Sequence, residues 1–300
     1  MILSIVIPSD EFDCMKEGST YYIWLNGAFF NKHDINIDPL SHGLHYGTGA
    51  FEGIRVYNKK IFKLEEHIIR LFSSAKILLM DIPFVAEHIY QACLEMVELN
   101  KIDNGYLRPL IFLDNKSMAI GGENDTNVMI AYIPRITDYH KNFADKKSLR
   151  LKISSLIRPP AESFPYKAKV SGLYVLNHLA KKRAIMNQYD DALMLDYRGY
   201  ISEATTSNFF MVRSGELHTP KTECCLNGIT RQVVIELARK NNIHVAERDI
   251  ETLEIKDSDE AFLTGTASEI TAIHSINEHV YQANPISKML YEQFYQLTQS

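Results

Sequence analysis

The chain has 300 residues, 46% hydrophobic and 23% charged, enough apolar material for two domains rather than one. Its formal net charge of -5 gives no footprint for nucleic acid, and no apolar run is long enough to span a bilayer. Cys14, Cys93, Cys224 and Cys225 form no C-x-x-C pair, and residues 1–8 lack the basic start and cleavage site of a signal peptide. A reduced, cytoplasmic protein is therefore expected, with residues 1–8 as an arm or edge strand.

Residues 21–25 and 28–30 flank Asn26-Gly27, a strong two-residue hairpin signal. A glycine-rich run follows, from Ser41-His42-Gly43-Leu44-His45-Tyr46-Gly47 to Phe51-Glu52-Gly53. The spacing of Gly47, Gly49 and Gly53 does not match G-x-G-x-x-G, and residues 54–57 and 61–62 read as strands, so no dinucleotide site is expected. His42 and His45 have no third ligand at a suitable spacing, so no metal is expected either. Apolar residues recur at helical spacing over residues 65–80, and again at Ala86, Ile89, Cys93, Met96 and Val97. Residues 106–113 and 127–133 read as strands, which completes a first α+β unit.

Residues 135–149 are polar and aperiodic, the best linker candidate, so the expected division is 1–134, 135–149 and 150–300. A strand resumes at Leu151, Ile153 and Leu156. A helix after Tyr174 is expected to turn Leu176, Leu179, Ala180 and Ala184 inward. Strands follow at 192–196, 208–212, 216–219 and 261–263. Helices carry Ile229, Val233, Val234 and Leu237, then Ile286, Met289, Leu290 and Phe294.

Several local features carry chemistry when taken together. Tyr166-Lys167-Ala168-Lys169-Val170-Ser171-Gly172-Leu173-Tyr174 crowds two lysines and two tyrosines before a helix. Alone it reads as a solvated strand end. Asn227-Gly228-Ile229-Thr230 opens a helix whose free backbone N–H groups suit an anion, although a plain cap is the commoner use of such a run. Thr264-Gly265-Thr266-Ala267-Ser268 is either a second set of donors or a tight turn. Glu203, among small and apolar residues just before a strand, suits a protonated pyridine nitrogen or is a surface acid in a turn. Tyr106 and Arg108 alternate onto one strand face, where an arginine can grip a carboxylate. The combination of a lysine, an acid, an anion site and an arginine points to a lysine that forms a Schiff base with an aldehyde cofactor.

At this point the chain resembles the class IV, fold-type IV pyridoxal phosphate aminotransferases, and most of all the branched-chain amino acid aminotransferases, from about Tyr22 to Ile276. The most specific run goes from Glu203 through Thr205, Asn208, Phe209-Phe210, Leu217, Thr219 and Leu226 to Gly228-Ile229-Thr230-Arg231. Leu44-His45-Tyr46-Gly47, Phe51-Glu52-Gly53-Ile54-Arg55 and Tyr106-Leu107-Arg108-Pro109 point to the branched-chain branch. The resemblance implies a two-domain α+β fold like that of D-amino acid aminotransferase, with pyridoxal 5'-phosphate between the domains. It implies Lys169, not Lys167, as the Schiff-base and catalytic lysine, with Tyr174 on the cofactor phenolate oxygen and Glu203 on the ring nitrogen. Arg70, Ile229, Thr230 and Thr266 would hold the phosphate. Tyr46, Phe51, Tyr106, Arg108 and Ala267 would line the substrate site. Leu, Ile or Val would exchange its amino group with 2-oxoglutarate in a cytoplasmic homodimer or higher homo-oligomer. The alternative is another class IV enzyme: a D-amino acid or broad amine transaminase, or an aminodeoxychorismate lyase. Two stretches depart from the family pattern. The segment after the linking proline is Pro134-Arg135-Ile136-Thr137, with Tyr139 displaced by one, and Met118-Ala119-Ile120-Gly121-Gly122 is atypical where a partner subunit's loop closes the pocket.

Overall fold

The computed structural model describes residues 21–134 and 143–299. The arm expected at residues 1–8, Cys14, Arg135, Tyr139 and most of the proposed linker lie outside these residues. The predicted hairpin forms as β1 (Tyr22–Leu25) and β2 (Ala28–Asn31). Asn26 and Gly27 hold φ of 49° and 96°, the two positive values that a type I′ turn requires. Then come α1 (His42–Tyr46), β3 (Gly49–Phe51), β4 (Ile54–Tyr57) and β5 (Lys60–Ile61). The helices α2 (Leu64–Ile77) and α3 (Ala86–Leu99) precede β6 (Gly105–Leu113) and β7 (Thr126–Ile133).

These strands make one seven-stranded sheet in the order β2-β1-β7-β6-β4-β5, with β3 also paired to β6. The apolar stripes of α2 and α3 share a core with it. Ile68, Leu71 and Ala75 of α2, with Ile89, Cys93 and Met96 of α3, pack in one cluster with Trp24, Ile54, Leu107 and Val128. The short α1 carries no apolar period, and Gly47 ends it in the left-handed conformation.

The second sheet is built from β8 (Leu149–Arg158), β9 (Asp191–Asp196), β10 (Ile201–Ala204), β11 (Asn208–Arg213), β12 (Glu216–Pro220) and β13 (Val245–Arg248), then β14 (Glu260–Gly265), β15 (Glu269–Ile276) and β16 (His279–Val280). Helices α4 (Tyr174–Met186), α5 (Ile229–Lys240) and α6 (Pro285–Gln299) complete this part. The order is β10-β9-β8-β15-β14-β11-β12-β13, and a further pairing of Glu203 with Asn208 joins β10 to β11. Six of the strands thus follow a closed path.

Alternation along β11 explains the two cores on its faces. Phe209 and Met211 pack with Leu193, Leu263 and Ile273, while Phe210 and Val212 pack with Val233, Leu237, Leu290 and Phe294 of α5 and α6. Two sequence expectations need correction. Leu179 does not turn inward but is 46% exposed; the small Ala180 and Ala184 occupy the buried face of α4 instead. Glu203 is not in a turn before a strand but within β10 itself.

Candidate active site

Lys169 lies in the extended segment before α4, and its backbone is held by the first part of the chain. Its N–H donates to Ser74 Oγ of α2 at 3.0 Å, and its carbonyl accepts from the Phe51 N–H at 3.1 Å. An antiparallel bridge between Ala50 and Val170 fixes the same register. Lys169 turns into a cavity, where its Nζ donates to Tyr174 Oη at 2.7 Å, while Lys167 falls in the turn that precedes this segment and is exposed on another surface. Tyr174 is the first residue of α4, so the helix start sets its position.

All seven cofactor-site candidates line this one cavity: Arg70, Lys169, Tyr174, Glu203, Ile229, Thr230 and Thr266. Glu203 is 7% exposed. Its carboxylate pairs with Arg158 Nη1 at 2.9 Å and accepts from Asn208 Nδ2 at 2.9 Å and the Leu226 N–H at 3.4 Å. Burial raises its pKa above the ordinary carboxylate value, although the Arg158 charge pulls the other way. Across the cavity, Ile229 and Thr230 open α5, whose first N–H groups have no intrahelical partner. Gly228 is required there: a Cβ would stand 2.2 Å from Asn208 Oδ1. Thr264 Oγ1 is buried on the same wall and has no hydrogen-bond partner among the described residues.

Arg70 reaches the start of α5 from α2, donating through Nη1 to the Asn227 carbonyl at 3.2 Å. Its other nitrogens are held by a residue to which the sequence assigned no role. Glu52, wholly buried, accepts from Arg70 Nε at 2.7 Å and Nη2 at 2.8 Å, and pairs with His67 Nδ1 at 2.7 Å. Burial alone would raise the Glu52 pKa, but the Arg70 charge and the hydrogen bonds from Arg70 and His67 outweigh it and hold the carboxyl far below its usual range. Burial also lowers the pKa of His67.

The five substrate-site candidates lie outside the lining of that cavity, and they divide. The Phe51 ring packs against Tyr174 at 4.8 Å between centroids, and the Arg108 guanidinium stands over Phe51 at 4.5 Å. Arg108 Nη2 donates to Tyr106 Oη at 3.3 Å, as their shared strand face predicts. Tyr106 fits only because residue 53 is glycine: a Cβ there would fall 1.6 Å from its hydroxyl. Ala267 is exposed beside Thr266. Tyr46 instead sends its hydroxyl to the Met118 carbonyl at 3.3 Å and is 47% exposed. The two histidines of the glycine-rich run bond elsewhere, His42 with Thr48 Oγ1 at 2.7 Å and His45 with the Pro39 carbonyl at 2.8 Å.

Sequence reasoning assigned no role to Glu52, His67, Arg158 or Asn208. For Glu52 a signal was present: a carboxylate inside an apolar strand-like stretch needs a buried cation. Arg158, before Pro159-Pro160, carries no comparable mark.

The sheet topology, the lysine–tyrosine pair and the helix-start donors belong to a known class. The chain belongs to the class IV aminotransferases: the family described as "Amino-transferase class IV" matches residues 49–276. Its two-part mixture of helix and sheet is the fold-type IV architecture, and transamination is its chemistry. In sequence it is 36% identical to a probable branched-chain-amino-acid aminotransferase of Rickettsia bellii, over 93% of this chain and 96% of the relative. It is 34% identical to the branched-chain-amino-acid aminotransferase of Escherichia coli K12, over 92% of each. Among solved structures it resembles the T.th. branched-chain amino acid aminotransferase with pyridoxamine 5'-phosphate, with a TM-score of 0.89 and 37% identity over 93% of this chain and 94% of that one. The Escherichia coli structure gives a TM-score of 0.89 at 33% identity, over 93% and 95%. No helix among the described residues is long and apolar enough to cross a membrane.

Proposed function

We propose that the protein transfers the amino group of a branched-chain L-amino acid (Leu, Ile or Val) to 2-oxoglutarate, with pyridoxal 5'-phosphate held in the cavity around Lys169. The observation that carries this reading is the Lys169 Nζ at 2.7 Å from Tyr174 Oη, in a cavity also lined by Glu203 and by the start of α5. The donor set fits the cofactor. The α5 N–H groups, the Thr266 hydroxyl, Arg70 and the unpartnered Thr264 Oγ1 suit a phosphate. Glu203 suits a protonated ring nitrogen and Tyr174 a phenolate oxygen. The T.th. relative, whose structures contain pyridoxamine 5'-phosphate and N-(5'-phosphopyridoxyl)-L-glutamate, adds weight.

Bound there, pyridoxal phosphate supplies an aldehyde for the amino group and a ring that withdraws electrons from the substrate α-carbon. The chain's residues do the rest. Lys169 Nζ takes the α-proton and carries it to the atom that must receive it. Tyr174 Oη, which accepts from Nζ, keeps the amine aimed into the cavity. Glu203 is fixed by Arg158 and Asn208 and gives a cationic ring a matched counter-charge. Phe51 offers an apolar wall for the aliphatic side chain, and Arg108 at its edge offers a partner for the second carboxylate of glutamate. Residues 1–134 and 150–300 are read as two domains joined by 135–149, with two subunits in a homodimer; sedimentation equilibrium tests the latter.

A donor screen with 2-oxoglutarate tests the function. Leucine, isoleucine and valine should react, whereas D-amino acids, amines without a carboxylate and aminodeoxychorismate should not. Turnover confined to one of the latter groups would replace this reading by another class IV activity. Borohydride reduction of the yellow protein should label Lys169; labelling of Lys167 would overturn the lysine assignment.

A further inference from the structure

Ser74 lies in the last turn of α2, 1% exposed, and its Oγ accepts the Lys169 N–H at 3.0 Å. The helix itself gains little from a serine there: alanine is the better helix former, and the position is far from the helix start, where serine caps. The hydroxyl serves the chain that crosses α2. That chain, between β8 and α4, belongs in sequence to the second part of the molecule, yet the first part holds its backbone at the lysine. The Lys169 N–H goes to Ser74, the Lys169 carbonyl accepts from the Phe51 N–H at 3.1 Å, and Val170 bridges Ala50. The side chain turns the other way, where Nζ donates to Tyr174 Oη at 2.7 Å.

The same two stretches hold Arg70. Arg70 and Ser74 are four apart on α2, hence on one face of the helix and about 6 Å apart along its axis. Glu52, next to Phe51, accepts from Arg70 Nε at 2.7 Å and Nη2 at 2.8 Å. Phe51 and Ser74 thus grip the lysine backbone, while Glu52 and the helix turn before Ser74 set the guanidinium. Lys169 and Arg70 both line the one cavity. A ligand held at its two ends reacts fast only if the span between the two holds is right, because a misplacement of about 1 Å can cost about 10²-fold.

We propose that Ser74 is a positioning residue that sets the span between the Lys169 amine and the Arg70 guanidinium, so that a ligand whose phosphate is seated by Arg70 and the start of α5 presents its aldehyde carbon to Nζ. The step served is the addition of Nζ to that carbon: the C=N bond forms, and the aldehyde oxygen leaves as water with the two amine hydrogens. This rests on the functional reading above, which puts an aldehyde cofactor in the cavity. Ser74 touches no reacting atom; it acts through the Lys169 backbone.

The test compares pyridoxal 5'-phosphate with pyridoxal, which has the aldehyde but no phosphate, on the full-length protein stripped of cofactor. Borohydride stops the reaction at intervals, and mass spectrometry counts the modified Lys169 peptide. Wild type should react with the phosphate form faster by on the order of 10²-fold, because the anchored aldehyde has a high effective concentration. Ser74→Ala should slow the phosphate form about tenfold and leave pyridoxal unchanged, since a span matters only to a ligand held at both ends. Ala75→Gly loosens the same turn of α2 but keeps the Ser74 hydroxyl, so the wild-type ratio should persist. Ser74→Cys keeps the volume and offers only a weak acceptor, and it decides the matter if Ser74→Ala fails to fold. The proposal falls if the ratio survives the loss of the hydroxyl, if both rates fall together, or if Ala75→Gly lowers the ratio as much. A wild type with no preference for the phosphate form overturns the cofactor reading and the proposal with it. A wild type that shows the preference at Lys169 but moves no amino group from leucine overturns the transamination reading alone, and the ratio of rates decides the role of Ser74 as before.

Discussion

Arg70 does two things at once, and its substitution shows which is larger. It faces the cavity, but Nε and Nη2 are committed to Glu52, a carboxylate with no exposure. Arg70→Ala therefore strands a buried charge as well as removing the proposed phosphate contact, and breaking such a pair costs about 3–5 kcal/mol. The melting midpoint should fall markedly. Adding Glu52→Gln to Arg70→Ala should restore much of it while cofactor affinity stays about ten- to a hundredfold weak. Acid separates the effects further. The folded pKa of Glu52 is depressed far below its ordinary 4.5, so its stabilisation is complete above 4.5, shrinks as pH falls below it and disappears only as pH falls through the folded value. The stability difference between wild type and Glu52→Gln should be full at neutral pH and narrow progressively below pH 4.5; curves that stay parallel would remove the charge from the account. Glu203 has the opposite sign. Burial raises its folded pKa, so its contribution is lost as pH rises above the ordinary value. Glu203→Gln relieves that burial but leaves buried Arg158 without its counter-charge, so the cofactor-free protein should lose some stability at neutral pH, while turnover drops on the order of 10²-fold or more. Near-normal turnover would exclude its pairing with the ring nitrogen.

Among elements, β6 is the one whose pattern predicts specificity. Tyr106 and Arg108 share a face, and the arginine stacks on Phe51 while donating to the tyrosine. Arg108→Met keeps the stack and deletes the charge. Glutamate and 2-oxoglutarate should lose roughly 2–4 kcal/mol of transition-state stabilisation, and leucine little, when each half-reaction is followed separately by rapid-mixing absorbance. Equal losses would give Arg108 to the fold or to the shared carboxylate. This strand was legible because an apolar run with two aromatic residues, opened by Gly105 and closed by Asp114-Asn115, is a local signal, as were the Asn26-Gly27 turn and the helical stripes of α2, α3 and α5. Elements without a local signal were not. Along β15 all but His274 are buried, so Ile270, Thr271, Ala272 and Ile273 show no alternation. Five-residue α1 is too short for a period, and four-residue β10 is defined by its pairing with β9 and its bridge to β11 across a turn. The site divided the same way. Lys169, Tyr174 and Glu203 were found through the family resemblance that their spacing supports, whereas the partners that hold them, such as Arg158, are joined to them only by the folded chain.

At the scale of the molecule, the first sheet has one core and the second has one on each of its faces, and the cavity takes Arg70 from α2 and the rest of its lining from residues 166–266. The strand order of the second sheet also bears on how the chain is made. In sequence β15 comes after β8 to β14, yet in space it lies between β8 and β14 and pairs in parallel with β8. A growing chain emerges from the ribosome at about 5–20 residues per second, and a domain that can fold early does so. The first sheet is complete by Ile133. The second is not: until Ile276 is out, β8 lacks one neighbour and β14 lacks another, and the closed path of six strands has a gap in it. A nascent chain arrested after Ser258 should therefore resist protease over residues 21–134 and be cut within 149–248, while the finished chain resists over both. The lysine pocket therefore closes late in synthesis, so the proposed cofactor chemistry cannot begin on a half-made enzyme.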